Sequence, residues 1–535
     1  MNHKRSFRIF LIGMLLASAT TGPAECQHKR FLPAVLKAGI ATPVLKWSNG
    51  GCFTSWCQTG WYASPAVLDI NADGYLEVIA GSYDLVALNG RTGALEWRAP
   101  NTTRVWPDIA VADLTGDGAM EIVAGRGGSK LTLYNTAGTA LWSINPFSKG
   151  EIRSLALADL ENDGIVETIV GLADGTATRQ INVVEPDKSV RPGFPARRDG
   201  DPGYGWGMYN QNVAAADING DGYKEIIGPT DTHYITALDR SGSQLPTNSM
   251  FNTFSPSGPK VWSQVGVHVD QAVDLRGYAN CGTEHRPNFA DSPPVLADVN
   301  GDGTREIIVV GNVHNCDTSP YTDLYQIPFL FNADRSRWKA GSFDWTSVPV
   351  PDGSAGPLSE DYNVIQSAEP NPVVADLDGD GYQEILYSSY DGRLHAYWLD
   401  KAEHGSWPYR VTRTGEGVIR FSSPPVVADL DNNGRAEVLF ASWVPIGSGL
   451  TGKLTILDSL GNLVAEVTLP AGLGVSSWNG ALASPTLADT DNDGELEIIL
   501  QTVYSGVVAY DLPGTAGARV LWGTGRGNLQ RSGAR

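Results

Sequence analysis

The chain has 535 residues, 42% hydrophobic and 18% charged, which is enough apolar content for a large core and too little charge for a disordered chain. Its 61 glycines and 32 prolines are spread along its length, which suits many short turns and an all-β fold. A formal net charge of −20 argues against a nucleic-acid partner, because phosphate contacts need a basic patch.

Residues 1–26 read as a signal peptide and processing region. Lys4, Arg5 and Arg8 precede a short apolar run from Phe10 to Ala19, with cleavage expected after Ala19 or Ala24. That run is too short to span a bilayer and no later run approaches the length, so the expectation is a secreted or cell-surface protein without a membrane span. Cys26 follows Pro-Ala-Glu, a poor match to a lipid-attachment site. Residues 27–59 read as a linker containing a possible ring-closing strand, Pro43 to Asn49. Five cysteines in an exported chain suggest disulfides, Cys52 with Cys57 and Cys281 with Cys316, leaving Cys26 over; no Cys/His spacing reads as zinc.

From residue 60 to 535 the chain repeats itself. DINADGYLE begins at Asp69, and seven related stretches begin at Asp113, Asp159, Asp217, Asp298, Asp376, Asp429 and Asp489. Each follows a short apolar run such as PPVVAD and precedes another such as EIVAG, both Val/Ile-rich and bounded by glycine or proline. Two further strands around an Asn/Gly turn follow, as in YDLVALNGRTGALEW. Four antiparallel strands per repeat make a propeller blade, and the blades cover one another's apolar faces in a ring. Eight blades are expected, with seven plus an irregular unit as the alternative. Either PVLKWSN or RVLWGTG, from Arg519 to Gly525, could complete the last blade. The longest gaps place insertions at about 245–290 and 312–362.

The repeated stretch has the chemistry of a calcium loop, since alternate oxygens of a tight turn can face one hard cation. In the first copy the ligands are Asp69, Asn71, Asp73, the Tyr75 carbonyl and Glu77. The same positions hold Asp113, Thr115, Asp117, Ala119 and Glu121 in the second, and Asp159, Glu161, Asp163, Ile165 and Glu167 in the third. The fourth has Asp217, Asn219, Asp221, Tyr223 and Glu225; the fifth has Asp298, Asn300, Asp302, Thr304 and Glu306. The sixth has Asp376, Asp378, Asp380, Tyr382 and Glu384, and the seventh has Asp429, Asp431, Asn433, Arg435 and Glu437. The eighth has Asp489, Asp491, Asp493, Glu495 and Glu497, with Glu495 contributing its main chain and pointing outward. Position 6 is always glycine, as a left-handed turn requires. An EF-hand would need an acid at position 12, where these loops have residues such as Ala80, Val170 and Leu500.

These loops with their following strands resemble the FG-GAP/VCBS repeat family, which includes the integrin α-subunit propellers. The resemblance covers residues from about 60 to 512. It implies a propeller bracing itself with up to eight structural calcium ions, which would offset most of the negative charge. Loops three, six and eight, with four acids each, should bind best; loop two, with Thr115, and loop seven, with Asn433, should bind least. The family includes adhesion receptors, lectins and domains attached to enzymes, so the ligand is not implied.

A ligand is expected on the face opposite the loops, where blade openings carry Trp61, Trp106, Tyr209, Phe421 and Trp478. Arg104, Arg153, Arg286 and Arg420 lie among them, and the insertions add Tyr278, Phe289, Tyr321, Trp338 and Trp345. For any single ring the competing reading is packing between blades. The expected partner is an extracellular carbohydrate or protein, bound by a monomer. No GxSxG, HExxH or Walker loop points to an enzyme. His268, His285 and His314, with Asp270, Asp274 and Glu284, leave open a polysaccharide lyase or hydrolase, although their spacing shows no ligand pattern. An interaction platform in a surface assembly is the third reading.

Overall fold

The structure is a computed structural model that describes residues 39–49, 62–174, 179–198, 207–253, 257–269, 285–315, 325–349, 369–389, 391–444, 448–472 and 479–535. The second strand of a repeat is buried on both faces, as in Glu77–Gly81, Glu121–Arg126 and Glu384–Ser389. Each sheet is covered by a neighbour on either side, so these strands are largely apolar instead of alternating. The outermost strands meet solvent, and Leu95–Ala99 is exposed or half-buried along its length. Apolar side chains of adjacent sheets interdigitate, Val123 and Leu133 of one with Val170 and Leu172 of the next.

The result is a ring of eight antiparallel blades. Blade one has strands Ala66–Leu68, Glu77–Gly81, Leu85–Asn89 and Leu95–Ala99 in spatial order, and blades two, three, six and seven follow the same plan. Blade four has three regular strands, with Gln244 bridged to Leu238 as a brief fourth. In blade five a ten-residue strand, Glu306–Asn315, is long enough to carry His285–Asn288 beside its inner strand. The outer edge of that blade is a bridge between Phe331 and Arg337.

Ring closure uses the two candidate strands differently. Val44–Asn49 pairs antiparallel with Val507–Leu512 and completes blade eight. Arg519–Trp522 does not take that outer place; it pairs with Val426–Asp429, the innermost strand of blade seven. An innermost strand has one unpaired edge facing the channel, and buried N–H groups there need partners.

The chain that follows supplies them. Leu487 N–H donates to Gly523 O (2.8 Å), Val111 N–H to Leu529 O (2.9 Å) and Leu157 N–H to Gln530 O (2.8 Å). Ala215 N–H then donates to Ser532 O (3.0 Å) and Leu296 N–H to Gly533 O (2.8 Å). Arg535 Nη1 reaches Val374 O at 2.7 Å. With the Val427–Trp522 pair, these contacts fall at one repeat position in seven blades, two residues before each loop's first aspartate. At blade one Arg531 Nη2 donates to Pro65 O at 2.9 Å. The tail therefore meets every blade from inside the ring.

Several aromatics expected to serve a ligand are core residues instead. Phe289, Trp338 and Trp345 are buried, and Trp345 Nε1 donates to Leu399 O of blade six at 2.9 Å. Tyr278 and Tyr321 lie outside the described residues.

Candidate functional site

Each acidic loop joins the first and second strands of its blade and is held in shape by its own carboxylates. The position-1 aspartate accepts the N–H of the position-6 glycine through Oδ2, from Gly74 to Asp69 at 3.0 Å and from Gly303 to Asp298 at 2.7 Å. The position-5 side chain accepts the N–H of position 7, as Asp380 does from Tyr382 at 2.8 Å. The position-6 glycines have φ near +90°, with Gly381 at +92°, and open space where a Cβ would project. Glycine is required there by the backbone angle and not by crowding.

The position-9 glutamate opens the second strand and is buried between blades. Its Oε2 accepts the N–H of position 2, at 2.6 Å from Leu377 to Glu384 and 2.9 Å from Leu430 to Glu437. One oxygen thus braces the loop, and in loop six Oε1 of Glu384 remains for a ligand. Burial first, then the Asp378, Asp380 and Asp376 carboxylates, push Glu384 up to about 9. Among the described residues Glu384 Oε1 and Asp378 Oδ1 are buried without a hydrogen-bond partner. Crowded acids with unused oxygens are what a hard cation relieves, so the donor set of loop six fits one.

The loops are not equivalent. Carboxylate oxygens of Asp376, Asp378 and Glu384 lie within 4.8 Å of one another, as do those of Asp429, Asp431 and Glu437, and those of Asp489, Asp491 and Asp493. Loop seven joins this group although Asn433 weakens its formula. Loop three does not, because Glu161 turns to Arg191, with Nη1 at 2.8 Å and Nη2 at 3.0 Å. In loop two Thr115 Oγ1 donates to Glu121 Oε1 at 3.1 Å, and in loop four Asn219 Nδ2 donates to Glu225 Oε1 at 2.9 Å. Glu495 accepts Gly514 N–H at 2.9 Å, outside the loop.

On the opposite face, the expected ligand residues separate. Trp106 and Tyr209 come together around Arg153, whose guanidinium lies 3.9 Å from the Trp106 ring centre and 5.9 Å from that of Tyr209. Arg104 lies 4.5 Å from the same Trp106 ring, and the Tyr62 ring centre is 5.5 Å from it. Phe421 is buried in a short strand paired to Trp443 and Ser442, so it packs the core. Arg420 is buried against Glu416. Trp61, Trp478 and all five cysteines lie outside the described residues, as do Asp270, Asp274 and Glu284. His268 is buried 5.4 Å from His233 by ring centres, while residues 285 and 314 sit on paired strands.

Two acids beside this aromatic group were not among the expected residues. Burial pushes Asp291 up to about 6, against the pull of Arg153. Burial, with the charges of Asp108 and Asp291, holds Glu369 well above the usual carboxylate range. Glu369 Oε1 and Trp106 Nε1 have no hydrogen-bond partner among the described residues. A signal was available. Tyr62, Trp106, Asn210, Asp291 and Glu369 each stand seven residues before their loop's first aspartate, one from each of five blades. Gln211 follows Asn210 with φ +51° and two buried side-chain atoms without partners among the described residues, the kind of backbone outlier that marks functional sites.

Residues 376–440 match the family model of the FG-GAP-like repeat. No curated protein matches the chain. Among solved structures, the V. cholerae biofilm matrix protein Bap1 is similar at 16% identity, covering 89% of this chain and 92% of that one, with a TM-score of 0.39. BamB from Moraxella catarrhalis is similar at 14% identity over 84% and 97%, TM-score 0.44. The rhamnogalacturonan lyase YesW is similar at 14% identity over 85% and 72%, TM-score 0.45. Likeness at this level says nothing of ligand or activity. No helix among the described residues is long and apolar enough to cross a membrane.

Proposed function

We propose, from the premise that this chain is an FG-GAP-like β-propeller, that it is an exported binding module. Calcium in the acidic loops braces one face, and a carbohydrate docks at the channel mouth on the other. The observation that carries this reading is the pair of buried atoms without partners among the described residues, Glu369 Oε1 and Trp106 Nε1, set among Tyr62, Arg153 and Tyr209. A hydroxyl-rich ligand donates and accepts along one edge, so it satisfies an acceptor and a donor together. Two guanidinium groups already lie over Trp106, so a sugar would meet its Nε1 and not stack freely on its ring.

Calcium suits the loops because it takes six to eight hard oxygens in flexible geometry. Asp376, Asp378 and Glu384, with the Tyr382 carbonyl, would hold it in loop six. Export rests on the basic and apolar segment within residues 1–26.

A second reading, a polysaccharide lyase or hydrolase, is favoured by Asp291 and Glu369. Burial sets their protonation apart, as an acid and base pair requires. The test is a panel of neutral and acidic polysaccharides scored for retention and for cleavage. Retention without product supports the binding module, turnover supports the enzyme, and neither overturns both.

A further inference from the structure

We infer that Arg191 serves loop three in place of a metal ion, so that this loop stays metal-free at calcium concentrations that fill loops six and seven. The inference rests on the calcium reading of the other loops.

Four loops carry an acid at position 3: Glu161, Asp378, Asp431 and Asp491. In loops six and seven that acid converges with the carboxylates at positions 1 and 9. In loop three it does not. Glutamate is one methylene longer than aspartate, and Glu161 reaches outward to a two-pronged pair with Arg191, at 2.8 and 3.0 Å. The same guanidinium meets Glu167 Oε1 at 3.0 Å, the position-9 oxygen that a metal would need. Its Nε is held by Glu185 at 2.6 Å, and its backbone N–H donates to Val183 O at 2.9 Å. The cation is therefore built into the blade's own outer edge. A planar fork on two carboxylates matches their geometry, and an entering ion would have to break it while facing a positive charge at contact distance.

Loop eight provides the contrast. Lys46, delivered by the ring-closing strand, reaches Asp491 Oδ2 at 2.7 Å, Glu497 Oε1 at 3.0 Å and Asp511 Oδ1 at 2.8 Å. A single ammonium leaves Asp491 Oδ1 unused among the described residues, and Asp489, Asp491 and Asp493 still converge. Loop eight keeps a metal-capable set where loop three does not.

The experiment counts calcium ions bound per full-length chain at saturation, by native mass spectrometry and equilibrium dialysis. Arg191→Met should gain one ion. Glu161→Gln, with Arg191 in place, should leave the count unchanged while lowering the melting temperature, and Asp378→Asn should lose one ion. A loss of one ion in Glu161→Gln overturns the inference, as does a folded Arg191→Met that gains none. If Arg191→Met does not fold, the Glu161→Gln count decides. No bound calcium in the wild-type chain overturns the calcium reading and this inference together, whereas a loss in Glu161→Gln overturns the inference alone.

Discussion

Trp97, in the outer strand of blade one, lies against Gly138 in the turn of blade two. Its ring carbons are 2.6 Å from where a Cβ on Gly138 would project, and its Nε1 donates to Thr136 O at 2.8 Å. The device recurs at Trp47 against Gly93 and at Trp407 against Gly461, so a tryptophan from one blade clamps a glycine turn of the next. Gly138 has φ +73°, and Gly116 has φ +72° with open space around it. Gly116→Ala should cost about 1–2 kcal/mol for the left-handed backbone alone. Gly138→Ala should cost about 1–3 kcal/mol more, since the tryptophan must move. Urea unfolding of the two variants measures the difference, and equal losses would contradict the clamp.

The tail should be integral to the ring. Arg531 is buried and donates to Ile109 O (2.8 Å), Gly525 O (2.8 Å) and Pro65 O (2.9 Å), and to Thr524 Oγ1 (2.7 Å). Arg531→Ala removes these donors, leaving Thr486 Oγ1 as the partner of Pro65 O and Thr524 Oγ1, and should cost about 3–5 kcal/mol. Removing residues 523–535 exposes the inner-strand edges and should lower the melting temperature further and promote aggregation. Calorimetry and light scattering check both.

Much of this architecture was legible in the sequence because the loops act as a ruler. Asp69 to Glu77 and its copies pointed to eight blades, with seven as the alternative, and gave the strand order and the loop face. The tail was not legible, since Gly523 to Arg535 contributes mostly single backbone carbonyls and has no periodicity of its own. At the candidate site, Trp106 and Tyr209 were visible as aromatics at blade openings, whereas Phe421 has the same residue class and packs the core. Asp291 and Glu369 are hidden until the repeats are aligned on their loops, because a lone acid in a proline-bearing approach to a strand looks like an ordinary turn residue. Arg191 was also hidden, because its partners Glu161 and Glu167 lie far from it in sequence.

Stability should depend on pH through His395. Its ring nitrogens meet Asp391 Oδ2 at 3.2 Å and Glu403 Oε1 at 3.1 Å, and its ring stacks on that of Tyr387 with centres 5.0 Å apart. Burial opposes the imidazolium, but the two carboxylates overcome it and raise the group from 6.5 to about 9. The folded value lies above the unfolded one, so the contribution is complete below 6.5 and is lost as pH rises through about 9. Wild-type protein should lose melting temperature across that window. His395→Gln should lack this component of the slope and be less stable by about 3 kcal/mol at the acid end.

Calcium should stabilise the fold by linkage. A site bound only in the folded state adds about 2.7 kcal/mol when the ion is at roughly a hundredfold its dissociation constant. The melting temperature should rise with calcium, and the rise should shrink in Asp378→Asn. A scan with and without chelator checks it, and an unchanged rise would remove loop six from the set.

The central claim is that ligand and metal use opposite faces, and calorimetric titration with whichever polysaccharide the panel retains tests it most directly. At saturating calcium, Glu369→Ala should lower affinity at least about tenfold, or about 1.4 kcal/mol, while melting no lower than wild type. Asp378→Asn should melt lower yet keep wild-type affinity while folded. Full affinity in Glu369→Ala, with affinity lost in folded Asp378→Asn, would place the ligand on the loop face and contradict the account.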